Sequence, residues 1–243
     1  MATIRLDKFL SDLGIGSRRE VRDWIRAGRV ALNGAAARSP ELKLDPASCS
    51  VSLDGKALRY QANHYYMMDK PVGVITATED PTQKTVLDLL PPELQRLGLF
   101  PVGRLDKDTS GLLILTNDGD FAHRVTAPKT GVEKRYLAEV DGIPDVDDVG
   151  AFAEGLVLGD GTKCLPAGLE CLGGARCIVT VQEGKYHQVK RMLASRGKPV
   201  LSLRRLSIGG LELDETLGPG RIRELDQQDL CTVFLDRKPK TKA

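Results

Sequence analysis

The segment Gly103-Arg104-Leu105-Asp106-Lys107-Asp108-Thr109-Ser110-Gly111 runs directly into Leu112-Leu113-Ile114-Leu115 and then Thr116-Asn117. It sets a carboxylate beside a hydroxyl-rich turn and anchors it to four consecutive apolar residues, the pattern of a buried strand. A single Asp in a loop is ordinarily a turn residue or a helix cap. The surroundings of Asp106 differ, because they fix a reactive group to a rigid element. A calcium loop is the obvious rival: Asp106-x-Asp108-x-Ser110-Gly111 imitates the start of an EF-hand. Such a loop needs a bidentate Glu eleven residues after its first Asp and a helix on either side. Position 117 is Asn and the exit is an apolar, β-like run, so the metal reading is disfavoured.

Two further stretches carry side chains suited to chemistry. Lys134-Arg135-Tyr136-Leu137-Ala138-Glu139-Val140 alternates, placing Tyr136, Ala138 and Val140 on one face of a strand. A tyrosine there is either a sheet-face residue or an aromatic surface for stacking on an extruded base. The stretch Glu183-Gly184-Lys185-Tyr186-His187-Gln188-Val189-Lys190-Arg191-Met192-Leu193 places two cations on a helix-like segment after the strand pattern Cys177–Val181. Taken alone, a Lys-Arg pair is a surface feature.

The chain that must position these groups has 243 residues, a length open to two domains or one larger one. Its 41% hydrophobic and 28% charged composition is that of an ordinary globular protein with a real core. No window approaches 18 apolar residues and the N-terminus is charged from the start, so neither a membrane span nor a signal peptide is expected. The cytoplasm is the expected compartment. Cys49, Cys164, Cys171, Cys177 and Cys231 form no C-x-x-C pair, and His64, His123 and His187 lie apart, a set that fits reduced thiols rather than zinc ligands. Neither a Walker loop nor a dinucleotide fingerprint is present, so no cofactor and no metal is expected.

The net charge of +2 conceals an asymmetry: residues 1–60 hold 11 basic and 7 acidic side chains, and the remainder holds 24 and 26. Local positive charge on a near-neutral body suggests a polyanion-binding module. Within it, Ser17-Arg18-Arg19-Glu20 is a capping box that predicts a helix from Arg18, stopped by Gly28. Val21, Trp24 and Ile25 form its apolar face. Arg18, Arg22, Arg26 and Arg29 fall within a band of roughly 80° at helical spacing, with Glu20 and Asp23 apart from them. That stripe is either a solvated face or a phosphate track, and segregation of the acids favours the track. An earlier helix is expected over Arg5–Leu13, and strands end at the Asn33-Gly34 and Asp54-Gly55 turns.

Taken position by position, the Asp106 segment reads G-R-L-D, two free positions, a hydroxyl residue, one free position, Gly, four apolar residues and a small polar pair. It resembles the signature of the pseudouridine synthases that act on ribosomal RNA, in the family typified by the small-subunit enzyme. Lys70-Pro71-Val72-Gly73 resembles that family's Lys-Pro-x-Gly turn, residues 184–192 its G-x-x-H-Q-V-K-R-M motif, and Leu203–Gly209 its L-x-R-x-x-I-G segment. The first 60 residues resemble an S4-type RNA-binding domain through Ile4–Leu10, Gly16-Ser17-Arg18, Gly28-Arg29-Val30 and the Val-x-Leu-Asp-Gly run at Val51–Gly55.

The resemblance implies an α+β chain: an S4-type head over 1–60 and a catalytic domain over 64–235 with a mixed, largely antiparallel sheet; the residues left over, 236–243, form a short basic tail expected to be disordered. It implies Asp106 as nucleophile, Tyr136 stacking on the uracil, and Lys190 holding the carboxylate charged. Arg104 is expected near the flipped nucleotide, Arg205 as an RNA contact, and Lys70 as a structural turn residue. The implied reaction needs no cofactor and turns uridine into pseudouridine in ribosomal RNA. Thr76–Pro81, Thr85-Val86-Leu87, Gly161–Ala167 and the short tail look more like the small-subunit enzyme, so 16S RNA in an assembly intermediate is the expected partner of a monomer without membrane attachment. A 23S-directed member of the family and a non-catalytic RNA-binding assembly protein are the alternatives.

Overall fold

The computed structural model describes residues 3–46 and 48–235. The basic tail from residue 236 onward lies outside the described residues. The described residues fall into two compact units, one within Met1–His64 together with Leu90–Leu99, the other within Tyr65–Leu89 and Phe100–Ala243. The sequence reading leaves Leu90–Leu99 in the catalytic segment. It groups with the first unit, where the Leu97 side chain packs on Gly14, its terminal methyl 2.8 Å from where a Cβ would stand.

In the first unit the helices Leu6–Asp12 and Arg18–Arg26 share a core with the short strands. The second helix starts where its capping box requires: Ser17 Oγ accepts from the Glu20 N–H at 3.3 Å, and Glu20 accepts from the Ser17 N–H at 2.7 Å. The strands Ala35–Ala36, Val30–Leu32, Val51–Leu53 and Lys56–Leu58 pair in that order. Both hairpin turns place two consecutive residues in the left-handed region, Asn33-Gly34 and Asp54-Gly55, which is why Asn or Asp followed by Gly occupies them.

The second unit is built on a nine-stranded sheet. Its main path runs Gly168–Gly173, Arg176–Val181, Lys134–Val140, Val200–Ile208, Thr109–Thr116, Tyr65–Lys70 and Ile222–Glu224. All pairings are antiparallel except one, Val200–Ile208 against Thr109–Thr116. The fold is therefore α+β with a mixed, largely antiparallel sheet, as the resemblance implied. One core gathers Phe152, Val179, Met192 and Leu193, and a second gathers Met67, Leu112, Ile114 and Phe121. Among the described residues, no helix is long and apolar enough to cross a membrane.

The parallel junction spans three residue pairs, Leu203 with Thr109, Arg204 with Ser110 and Arg205 with Gly111. Gly111 has φ +105°, and a Cβ built there would stand 2.2 Å from the Arg205 carbonyl oxygen. The glycine of the signature is thus required by backbone approach as well as by its dihedral. The segment that follows the helix Gln188–Ser195 is tied to the helix Val146–Glu154 through Asp148. This carboxylate, 1% exposed, takes Lys198 at 2.5 Å and Arg196 at 2.9 Å. Burial alone would raise its pKa, but hydrogen bonds from Lys198 and Arg196 outweigh that and hold it below the ordinary 3.8.

Two outcomes are expected. Gly111→Ala should lose on the order of 3 kcal/mol or more in urea unfolding followed by circular dichroism, because strand backbone rather than a flexible side chain must move. Asp148→Asn should cost on the order of 2–4 kcal/mol at pH 7. Because the folded-state pKa is the lower one, the wild-type advantage is present above about pH 4 and fades as pH falls through the folded value, so the two proteins should converge in acid unfolding.

Candidate active site

Asp106 sits on the loop that enters the strand Thr109–Thr116, and several hydrogen bonds fix its backbone. Lys70, fully buried, donates from Nζ to the carbonyls of Pro71 at 3.0 Å, Asp106 at 3.1 Å and Thr109 at 2.9 Å. Burial pushes its ammonium down to about 8, with Asp108 and Asp106 acting in the opposite sense. Thr76 Oγ1 donates to the Leu105 carbonyl at 2.7 Å and accepts from the Leu105 N–H at 3.2 Å. Thr109 N donates back to the Asp106 carbonyl at 3.1 Å, closing the turn. With its backbone held on these sides, the Asp106 carboxylate points into an open cleft of about 450 Å³.

The helix Gln188–Ser195 brings the partner. Lys190 Nζ lies 2.9 Å from Asp106 Oδ2 and 2.5 Å from Asp108 Oδ1. The two carboxylates that imitate a calcium loop in sequence thus close on an ammonium. Burial works against charge on Lys190, yet the hydrogen bonds to Asp108 and Asp106 prevail and raise its pKa. Asp108 is correspondingly held below the usual carboxylate range, chiefly by its hydrogen bond to Lys190. His187 Nε2 stands 3.4 Å from the other Asp106 oxygen, Oδ1.

Tyr136 and Arg104 line the same cleft, with Leu105, Val181, Val189 and Leu203 as apolar surface. Tyr136 pairs in register with Arg205 across the neighbouring strand. Arg205 is 4% exposed: its Nε donates to the Leu112 carbonyl at 2.7 Å and Nη1 to the Tyr136 hydroxyl at 3.4 Å, with the guanidinium 6.0 Å from the Tyr136 ring centre. The expectation of an RNA contact at Arg205 is corrected accordingly. Cross-strand pairing turns its side chain into the sheet, where it supports Tyr136 and has almost no surface to offer a ligand.

In the first unit Arg18, Arg22, Arg26 and Arg29 are all exposed. Three of them meet acids: Arg22 Nε lies 3.4 Å from Asp7, Arg26 3.9 Å from Asp23, and Arg29 2.5 Å from Asp54. The separation of acids from arginines on the helical wheel is therefore incomplete. An i,i+3 pair is within reach of two long side chains, and Asp7 and Asp54 come from other elements.

Asp108, His187, Glu183 and Gln188 were not singled out as site residues by sequence reasoning. Asp108 stood in plain view as the second acid of the calcium-like spacing, and His187 and Gln188 adjoin Lys190 in one motif. Their signal was adjacency to a candidate; which of them faces the cleft depends on the turn into the helix, where His187 adopts φ 47°.

Residues 64–195 match the family described as RNA pseudouridylate synthase, and residues 4–47 match the S4 domain. The Bacillus subtilis protein named Uncharacterized RNA pseudouridine synthase YtzG is 43% identical over 231 residues, covering 93% of this chain and 97% of its own. Ribosomal small subunit pseudouridine synthase A of Escherichia coli (strain K12) is 40% identical over 235 residues, covering 95% and 100%, and its Vibrio cholerae counterpart is 39% identical over 232 residues, covering 95% and 100%. A solved structure described as a pseudouridylate synthase superposes with a TM-score of 0.67 at 34% identity, covering 95% of this chain and 99% of that one. A carboxylate closed on by a lysine, in a cleft with a half-buried tyrosine, on a sheet and a sequence of this kind, places the chain in the RNA pseudouridylate synthase family, with an S4 domain at its N-terminal end.

Proposed function

We propose that this chain isomerises one uridine of 16S ribosomal RNA to pseudouridine, acting as a monomer in the cytoplasm on a small-subunit assembly intermediate. The observation that carries the reading is the 2.9 Å contact between Asp106 and Lys190 in a cleft shared with Tyr136. The near end-to-end match to relatives named for the small ribosomal subunit supports 16S RNA as the substrate.

The reaction conserves every atom. The bond from the sugar C1′ to uracil N1 breaks, the base turns, a C1′–C5 bond forms, and the proton on C5 is lost while N1 gains one. In this scheme Asp106 is the nucleophile: one carboxylate oxygen bonds to C1′ as the C1′–N1 bond breaks and the base turns, and that O–C1′ bond breaks again as the C1′–C5 bond forms, returning the carboxylate unchanged. Lys190 offsets the carboxylate's charge as RNA covers the cleft and lowers the local dielectric. Tyr136 stacks on the extruded uracil, with its hydroxyl placed by Arg205. Arg104, exposed at the cleft, contacts the flipped nucleotide or its phosphate.

Extruding a base costs a few kcal/mol, and least where the RNA is unpaired, which favours a partly assembled substrate. Arg18, Arg22, Arg26 and Arg29 add phosphate affinity that weakens with salt. Arg22, Arg26 and Arg29 exchange their surface acids for phosphates at small cost, because exposed ion pairs contribute little.

In a deletion strain complemented with Asp106→Asn, mapping of pseudouridine in 16S and 23S RNA should show a single 16S position lost relative to wild-type complementation. Loss of a 23S position instead would move the substrate to the large subunit, and an unchanged map would leave only the non-catalytic RNA-binding reading. Lys190→Met should lower kcat by on the order of 100- to 1000-fold while thermal stability changes little, and Lys190→Arg should recover part of the rate.

A further inference from the structure

The rim of the cleft carries a feature that the reaction as described leaves unused. Of the Phe, Tyr and Trp side chains in the described residues, Tyr186 alone is exposed, at 76%. An aromatic ring left in water is most simply a surface accident. Its setting speaks against that.

One face of the Tyr186 ring is covered by His187, with centroids 3.8 Å apart and planes 18° from parallel. His187 in turn stands 3.4 Å from the carboxylate of Asp106. A stack therefore runs outward from the catalytic carboxylate: His187 first, then Tyr186, then solvent. His187 reaches this place with φ 47°, a conformation that costs a side-chain-bearing residue free energy and persists only when its neighbours impose it.

The neighbours do impose it. Buried Glu183 accepts from the Leu165 N–H at 2.9 Å, from Gln188 Nε2 at 2.8 Å and from Lys185 Nζ at 2.7 Å. Gln188 Oε1 accepts from the Lys185 N–H at 3.0 Å, and Arg191 spans from the Tyr186 carbonyl at 3.4 Å to Asp160 at 2.6 Å. Lys185 Nζ also donates to the Lys163 carbonyl. The loop that displays Tyr186 is thus pinned on both flanks, and the tyrosine is presented rather than left loose. A rigid, one-sided aromatic surface next to cations is what a nucleobase stacks on, and it does so with little regard to base identity.

We propose that the Tyr186–His187 ring pair is a second base-binding site, a platform for the nucleobase adjacent to the target uridine in the RNA strand. This rests on the reading of the cleft as the uridine site. When the target base leaves its stack, its neighbour loses a stacking partner; Tyr186 supplies a replacement and keeps the strand open.

The test uses the full-length protein and an RNA hairpin cut from 16S RNA around the uridine found by mapping, prepared intact and with an abasic residue on the 5′ or the 3′ side of that uridine. Tyr186→Ala, which removes an exposed side chain, should raise KM about tenfold on the intact hairpin with kcat changed less than twofold. Tyr186→Phe should behave as wild type. On one of the two abasic hairpins, wild type and Tyr186→Ala should have the same KM. A 2-aminopurine at that flanking position should lose fluorescence on binding wild-type protein and retain it with Tyr186→Ala. Unchanged KM in Tyr186→Ala, or the same KM ratio on all three hairpins, overturns the platform while leaving the synthase reading intact. Absence of pseudouridine formation by wild-type protein on the intact hairpin and on whole 16S and 23S RNA removes the synthase reading, and the platform with it.

Discussion

For three residues the strand Thr109–Thr116 runs parallel to Val200–Ile208, and the candidate site depends on that junction. It brings Arg205 to a carbonyl 93 residues away in sequence, at Leu112. It sets the loop bearing Asp106 at the end of one strand and, through the helix Gln188–Ser195 that precedes the other, brings Lys190 alongside. The junction forms because Gly111 lets two backbones approach to a distance that a Cβ would prohibit. One missing side chain therefore governs the meeting of two functional groups.

The same region buries cations to an unusual degree. Lys70, Lys134 and Arg205 are 0%, 8% and 4% exposed, and burial lowers the ammonium of Lys134, like that of Lys70, to about 8. Burying a charge is costly unless hydrogen bonds replace its water. Lys70 meets that condition with three carbonyls, whereas Arg205 meets it in part, with one carbonyl and the Tyr136 hydroxyl while its Nη2 is buried without a partner. These contacts tie the cations to the loop and the tyrosine that form the cleft, so the cost is incurred at the elements whose placement matters most. A cleft built in this way can keep its geometry before a ligand arrives, the condition under which electrostatic groups act most effectively.

Much of the local structure was legible in the chain. The capping box at Ser17, the Asn-Gly and Asp-Gly turns, the stop of a strand at Lys70-Pro71 and the alternation around Tyr136 each rest on interactions among near neighbours. Asp106, Lys190, Tyr136 and Arg104 could be picked out because each lies in a short, dense motif, and all four line one cleft. Arg205 was misplaced because its motif says nothing about which way the side chain turns in the sheet. Asp108 was passed over because its partner lies 82 residues away. The pairing of Arg29 with Asp54 was hidden for the same reason: two strands must align before those side chains meet.

By itself, then, the sequence determined several elements through their caps, turns and alternation, the family, and the residues able to do chemistry, since those local signals act over a few residues. Only the tertiary structure decided that Lys190 closes on two carboxylates, that Arg205 supports Tyr136 instead of facing solvent, and that Tyr186 is held out at the rim on His187. Those outcomes depend on strand register and backbone approach between segments far apart in the chain. A motif can name the groups, but their distances and burial arise only when the sheet assembles.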